Sequence, residues 1–158
     1  MTTAEELHRR GVRALNRGRH AVARRFLEEA RAQRAEPDLG ARVEASLAYA
    51  LSETGDPHGA LELCRTALSR EGLEPGTRGV LYRQIALVEM LRGEGEAAIE
   101  AFGHAVGLTD DPVGRGNIHL NRGNVHLQRG DLDLAGADFA AAERAFTEAI
   151  AEYERIGN

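Results

Sequence analysis

The chain has 158 residues, 42% of them hydrophobic but only 4% aromatic, with no Trp. That length suits one domain or one short solenoid, and a core so poor in aromatics must be packed from Leu, Ala, Val and Ile. A formal net charge of −5 excludes a general nucleic-acid binder, which carries a basic excess. All 20 basic residues are Arg, and with the abundant Ala and Gly this points to a GC-rich bacterial source. The single Cys, Cys64, has no internal disulfide partner, so a reducing cytoplasm is the expected setting. Met1 to Glu6 lack a basic segment followed by an apolar run, and no stretch approaches the ~18 apolar residues of a membrane span. No membrane association is expected.

Four units are predicted along one domain, 1–158. The first, 4–37, reads as helices over 4–17 and 20–34 joined at Gly18. The second, 40–75, has helices over 40–54 and 57–70 joined at Gly55. The third, 77–111, has 77–92 and 95–108 joined at Gly93. The fourth, 113–156, has 113–129 and 132–156 joined at Gly130. Each joining glycine supplies the left-handed conformation that closes a helix. Pro37, Pro75 and Pro112 punctuate the joints between units, where a missing N–H costs little. Asp110 or Asp111 is positioned to cap the helix that follows. No stretch alternates apolar and polar residues long enough for a sheet.

Register between the units carries the fold prediction. The joining glycines are spaced 37, 38 and 37 residues apart. Five residues after each comes an alanine: Ala23, Ala60, Ala98 and Ala135. Four further on is a bulkier side chain, Leu27, Cys64, Phe102 or Phe139. Three further still is a second alanine, Ala30, Ala67, Ala105 or Ala142. Seven residues before each glycine is a small residue, Gly11, Ala48, Ala86 or Gly123. Small residues recurring at one height belong where helices cross, because a larger side chain would push the axes apart. Gly123 in mid-helix costs about 1 kcal/mol relative to Ala, which close packing offsets.

These columns resemble the tetratricopeptide repeat, and unit four resembles it best, from Leu120-Asn121-Arg122-Gly123 to Gly130-Asp131-Leu132. The resemblance implies an all-α solenoid of four helix-turn-helix repeats wound into a right-handed superhelix. The period exceeds the family's 34 residues. The large aromatic expected early in each first helix is replaced by Leu7, Glu44, Tyr82 and His119. More narrowly, Leu7 to Leu15 and Val43 to Asp56, with Gln84 to Gly93, resemble the repeat region preceding the caspase-like CHAT domain of high-GC bacterial proteins. That implies a repeat arm without its peptidase, and no catalytic Cys–His pair of that family is identifiable.

Catalytic motifs are not found. Gly93-Glu94-Gly95-Glu96-Ala97-Ala98 imitates a dinucleotide fingerprint, but it follows a helix and its glutamates would repel a pyrophosphate. Residues 116–122 and 123–129 form a tandem heptad, Gly-Asn-Ile-His-Leu-Asn-Arg and Gly-Asn-Val-His-Leu-Gln-Arg. It aligns His119 and His126 two turns apart, roughly 10 Å of rise, too far to share one metal ion directly. His104 on the neighbouring helix is the residue that could approach one of them. Cys64 falls in a core column and reads as a small apolar residue. No enzymatic activity, cofactor or metal is expected.

The resemblance implies that first helices line a concave groove. Lining residues from units one and two are Glu5, His8, Arg9, Val12, Arg42, Ser46, Tyr49 and Glu53. Unit three supplies Arg83, Gln84, Leu87 and Leu91, and unit four Asn117, Asn121, Asn124 and Gln128. Amide side chains both donate and accept, so they suit a peptide backbone. The candidate groove is therefore Tyr49, Arg83, Gln84, Leu87, Leu91, Asn117, Asn121, Asn124 and Gln128. The family's paired-basic clamp is not matched, since His8 and Val12 stand where Lys and Asn are expected. The function expected is a non-catalytic module that binds a protein or peptide. The alternative is a self-assembling unit, a homo-oligomer through exposed solenoid ends. Residues 1–40 carry nine Arg against six acidic residues and the remainder 11 Arg against 19, a polarity that suits an acidic partner at the N-terminal end or, equally, head-to-tail packing. The absence of a polar capping helix after Ile156 suggests that the chain is a fragment or meets a partner there.

Overall fold

A computed structural model of the protein describes residues 1–157. Among them are eight helices and no strand: α1 (Ala4–Asn16), α2 (His20–Ala32), α3 (Pro37–Glu53), α4 (Pro57–Leu68), α5 (Pro75–Leu91), α6 (Gly95–Gly107), α7 (Pro112–Gln128) and α8 (Leu132–Gly157). They form four antiparallel pairs, and each pair packs on the next. The prolines at 37, 75 and 112 open helices rather than merely separating units. The first helices of units two to four therefore begin one to three residues earlier than the sequence predicts, while α1 begins at Ala4 as expected. Proline is suited to that place because its fixed φ is helical and the first N–H has no intrahelical acceptor. Side-chain caps complete the starts: Asp111 accepts from the Gly114 N–H at 3.1 Å, and Thr3 and Glu6 form a reciprocal capping box on α1.

The four joining turns are built alike. Gly18, Gly55, Gly93 and Gly130 have φ of 72, 92, 79 and 81°. In each turn the residue after glycine donates its N–H to the carbonyl five positions back: Arg19 to Ala14, Asp56 to Leu51, Glu94 to Glu89 and Asp131 to His126, all at 2.8–2.9 Å. This is the hydrogen bond of a Schellman closure, which needs the left-handed residue that glycine supplies without strain. Gly93-Glu94-Gly95 is thus a helix–helix turn.

The predicted columns sit at the helix crossings. Ala23, Ala60, Ala98, Ala135, Ala30, Ala67, Ala105 and Ala142 are buried, as are Leu27, Cys64 and Phe102; Phe139 is half-buried. Small residues on the first helix of a pair meet large ones on the second. A Cβ on Gly11 would lie 2.6 Å from Leu27 Cδ2, and one on Gly123 would lie 2.7 Å from Phe139 Cε1. Gly116 stands in the same relation to Phe146, at 2.6 Å. Burial pushes the Cys64 thiol up to about 12, so it stays protonated and inert.

Among the described residues three carboxylates are buried, and each is met by arginine from its own or a neighbouring element. Glu44 of α3 meets Arg31 of α2 and Arg70 beyond α4. Glu89 of α5 lies 3.1 Å from Arg92 and 3.7 Å from Arg65 of α4. Asp138 of α8 accepts two bonds from Arg122 at 2.8 Å and one contact from His119 Nδ1 at 2.9 Å. Burial pushes the Asp138 carboxyl up, but the Arg122 and His119 hydrogen bonds outweigh it and hold the group below its ordinary value.

Ala98 has no exposed surface and lies at a crossing already filled by side chains from both helices. Ala98→Leu is expected to lower stability by about 1–3 kcal/mol through overpacking. Urea denaturation followed by circular dichroism measures it, and an unchanged midpoint would remove Ala98 from the crossing.

Candidate functional site

The first helices of successive pairs run side by side at one end of the stack: α1 touches α3, and α3 touches α5. His8 Nε2 lies 3.1 Å from Ser46 Oγ, tying α1 to α3. Asp38 accepts from the Glu74 N–H at 2.8 Å, tying the start of α3 to the start of α5. The fourth unit differs. Among the described residues, α7 makes most of its contacts with α6 and α8, and part of its surface is exposed.

That uncovered surface has two stripes. Helical spacing places Asn117, Asn121, Asn124 and Gln128 on one of them; Asn121 is half-buried and the other three are exposed. Among the described residues their amides make no side-chain hydrogen bond within the chain. Beside them run Val113, Leu120 and Leu127 at heptad spacing, with Leu120 41% and Leu127 49% exposed. Sequence reasoning missed this apolar stripe, although the tandem heptad that revealed the amides also carries both leucines. The opposite side of α7 is occupied: Gly116 and Gly123 press on α8, and Ile118 and Val125 are buried.

The residues expected from α3 and α5 are more varied. Leu91 is 71% exposed. Leu87 is half-buried against the core. Arg83 is half-buried, and its Nε has no hydrogen-bond partner among the described residues. Gln84 is buried, 9% exposed, so its amide is withdrawn from open solvent. Tyr49 is half-buried and packs edge-on against His20, with ring centroids 5.9 Å apart. Neither Gln84 nor Tyr49 offers the open surface that Asn117 and Asn124 do.

The histidine cluster also rearranges. His104 does not approach His119 or His126; it stacks on Tyr82 with ring centroids 4.7 Å apart. His119 and His126 instead lie against Asp138, whose oxygens are held by Arg122. A carboxylate bonded bidentately by a guanidinium has little capacity left for a cation. Among the described residues no three His, Cys, Asp or Glu side chains converge as metal ligands. No helix among them is long and apolar enough to cross a membrane.

No protein-family model matches this sequence, and no curated protein matches it. Solved structures do resemble it. A crystal structure of MamA is 19% identical, over 95% of this chain and 81% of that one, with a TM-score of 0.71. A second MamA structure gives 20% identity over 96% and 76%, with a TM-score of 0.69. BtubC from P. vanneervenii is 18% identical over 92% of this chain, with a TM-score of 0.78, and the chain spans 64% of its length. At these identities the likeness concerns the fold, which is a tetratricopeptide-like helical solenoid.

The His8 contact makes this face sensitive to pH. Burial, then the nearby Arg42 charge, holds the imidazole below its ordinary value of 6.5, against a smaller opposing effect of Glu5. The unfolded chain therefore binds the proton more readily than the folded one. Stability is lost as pH falls from the unfolded value towards the folded one. Urea midpoints at about pH 7.5 and about pH 5.5 are expected to differ more for the native chain than for His8→Gln. Equal differences in both would show that the α1–α3 contact does not titrate.

Proposed function

We propose that the chain is a non-catalytic protein-interaction module whose ligand is a peptide or protein segment lying along α7. The observation that carries this reading is the composition of the uncovered α7 face. Three exposed amides free of intrachain side-chain bonds run alongside Leu120 and Leu127. A face kept only for solubility would favour charge. A face of amides beside apolar side chains matches a peptide, whose backbone donates and accepts while its side chains seek apolar contact. Arg83, Leu87 and Leu91 on α5 extend the same surface in this reading. The resemblance of Leu7 to Leu15 and Val43 to Asp56 to CHAT-associated repeats supports a place as the sensing or scaffold arm of a larger bacterial cytoplasmic protein.

A second reading is favoured by the same apolar stripe: another copy of this chain covers α7, and the module is a homo-oligomer. Sedimentation across a range of concentrations separates the two, because a peptide-binding monomer keeps one mass.

Under the first reading, Asn121→Ala with Asn124→Ala leaves the fold intact and weakens binding of a partner captured from lysate by about 1–3 kcal/mol, since each lost hydrogen bond is worth about 0.5–1.5 kcal/mol. Titration calorimetry measures the loss, with thermal melts as the folding control. Full affinity in a folded double variant would place the partner elsewhere.

A further inference from the structure

The junction between the first two units departs from the repeat. Counting from the joining glycines, Arg31, Glu44 and Arg70 occupy positions 13 after Gly18, 11 before Gly55 and 15 after it. The same positions at the next junction are Leu68, Tyr82 and Leu108, and at the third Val106, His119 and Ala145. The stack can therefore place mainly apolar side chains at these positions, and at the second junction does so, with the buried Glu89 there meeting Arg65 and Arg92 from other positions. Buried ion pairs rarely stabilise more than well-packed apolar residues of similar volume. The charged triad of the first junction needs a reason other than holding the stack together.

The triad faces a cavity of about 710 Å3 between the end of α2, the start of α3 and the end of α4. That volume lies in the range of small-molecule sites. Arg31, Arg34 and Arg70 line it, with Glu44 and Glu28. Glu28 is already paired with Arg24 at 2.8 Å. Three guanidinium groups thus face one remaining carboxylate, leaving two positive charges over. Arg34 is the sole non-glycine residue with positive φ among the described residues, at 51°. Glu44 is 1% exposed. Its Oε1 accepts from Arg70, while its Oε2 is buried without a hydrogen bond and only within ion-pair range of Arg31, at 3.4 Å. The site therefore has an excess of donors for an anion and one buried acceptor in need of a proton donor.

We propose that this cavity binds a phosphate group that keeps one P–O–H. Monohydrogen phosphate carries two negative charges, matching the excess. Its ionised oxygens suit the fork geometry of the arginines, and its hydroxyl donates to Glu44 Oε2. Sulfate has the same shape and charge but no proton at neutral pH, so it sets an acceptor against an acceptor. A site with an unpaired buried carboxylate oxygen discriminates sharply against a ligand that lacks the donor. The ligand is free monohydrogen phosphate, because a phosphate monoester of the same charge has no P–O–H left to donate. This site lies on α2, α3 and α4, away from α7, and stands independently of the peptide reading.

The test is titration calorimetry of the full chain with inorganic phosphate, glycerol phosphate and sulfate in a phosphate-free buffer. Phosphate is expected to bind at least about tenfold more tightly than sulfate, the cost of leaving one buried charged acceptor unmet. Glycerol phosphate as the dianion likewise lacks a P–O–H and is expected to bind as weakly as sulfate; binding as tight as that of inorganic phosphate would overturn the role given to Glu44 Oε2. Arg34→Asn removes a charge outside the triad at a position where Asn tolerates positive φ, and is expected to weaken phosphate about tenfold. Glu44→Gln supplies an N–H to the cavity and should narrow the preference over sulfate. Equal affinity for phosphate and sulfate in the native chain, or no heat with either at millimolar concentration, would overturn the proposal without touching the α7 reading. An Arg34→Asn variant that binds phosphate as tightly as the native chain would overturn it too.

Discussion

Close approach of helices through small side chains is the constraint on which the rest of this structure depends. In the first and fourth pairs glycine on the first helix faces a larger residue on the second, Gly11 against Leu27 and Gly116 against Phe146 most tightly, then Gly123 against Phe139; buried Ala48 and Ala86 hold the equivalent place in the other two. The alanines five and twelve residues after each joining glycine are buried at all four units. Dispersion and apolar burial reward this contact only when axes are near. The glycine turn fixes the angle at which the second helix returns, and the column fixes how near it comes. With both set, the pairs stack and the first helices come to lie side by side.

On such a frame, individuality resides in what each unit does with its remaining positions. The second junction, with Leu68, Tyr82 and Leu108 at these positions, has a cavity of about 340 Å3, and at the first Arg31, Glu44 and Arg70 stand around one of about 710 Å3. The fourth unit binds its helices through Asp138, Arg122 and His119 and leaves amides and leucines uncovered on α7. In neither place is the charge or the exposure explained by stacking, so both are where binding is assigned. The buried carboxylates carry opposite lessons. Asp138 is fully engaged by hydrogen bonds, whereas Glu44 keeps one oxygen unmet.

The repeat, the helix pairs and the core columns were legible in the sequence because they are periodic, and a period survives errors at single positions. Helix starts were less so: Pro37, Pro75 and Pro112 read as breaks between units, but each is the first residue of a helix. Which side chains stay open was partly hidden. Gln84 and Tyr49 lie on first helices, as expected, yet neighbouring helices cover them. Leu120 and Leu127 stood in the tandem heptad without being singled out, and the structure leaves both exposed. The Arg31–Glu44–Arg70 contact joins residues 13 and 26 positions apart, on α2, on α3 and just beyond α4. The odd member, Glu44 in a column of Leu7, Tyr82 and His119, was visible in the alignment of units, but its partners were not.

If small-residue packing between neighbours holds the stack, stability must follow the number of neighbours, as in a one-dimensional array. Native-state hydrogen exchange read residue by residue tests this most directly. The account predicts the slowest exchange in α3 to α6, around Ala48, Ala60, Ala86 and Ala98, which have packed units on both sides. It predicts the fastest helical exchange near Tyr153 and Ile156 of α8, whose side chains are exposed. Uniform protection along the chain, or the slowest exchange in the last turns of α8, would contradict it.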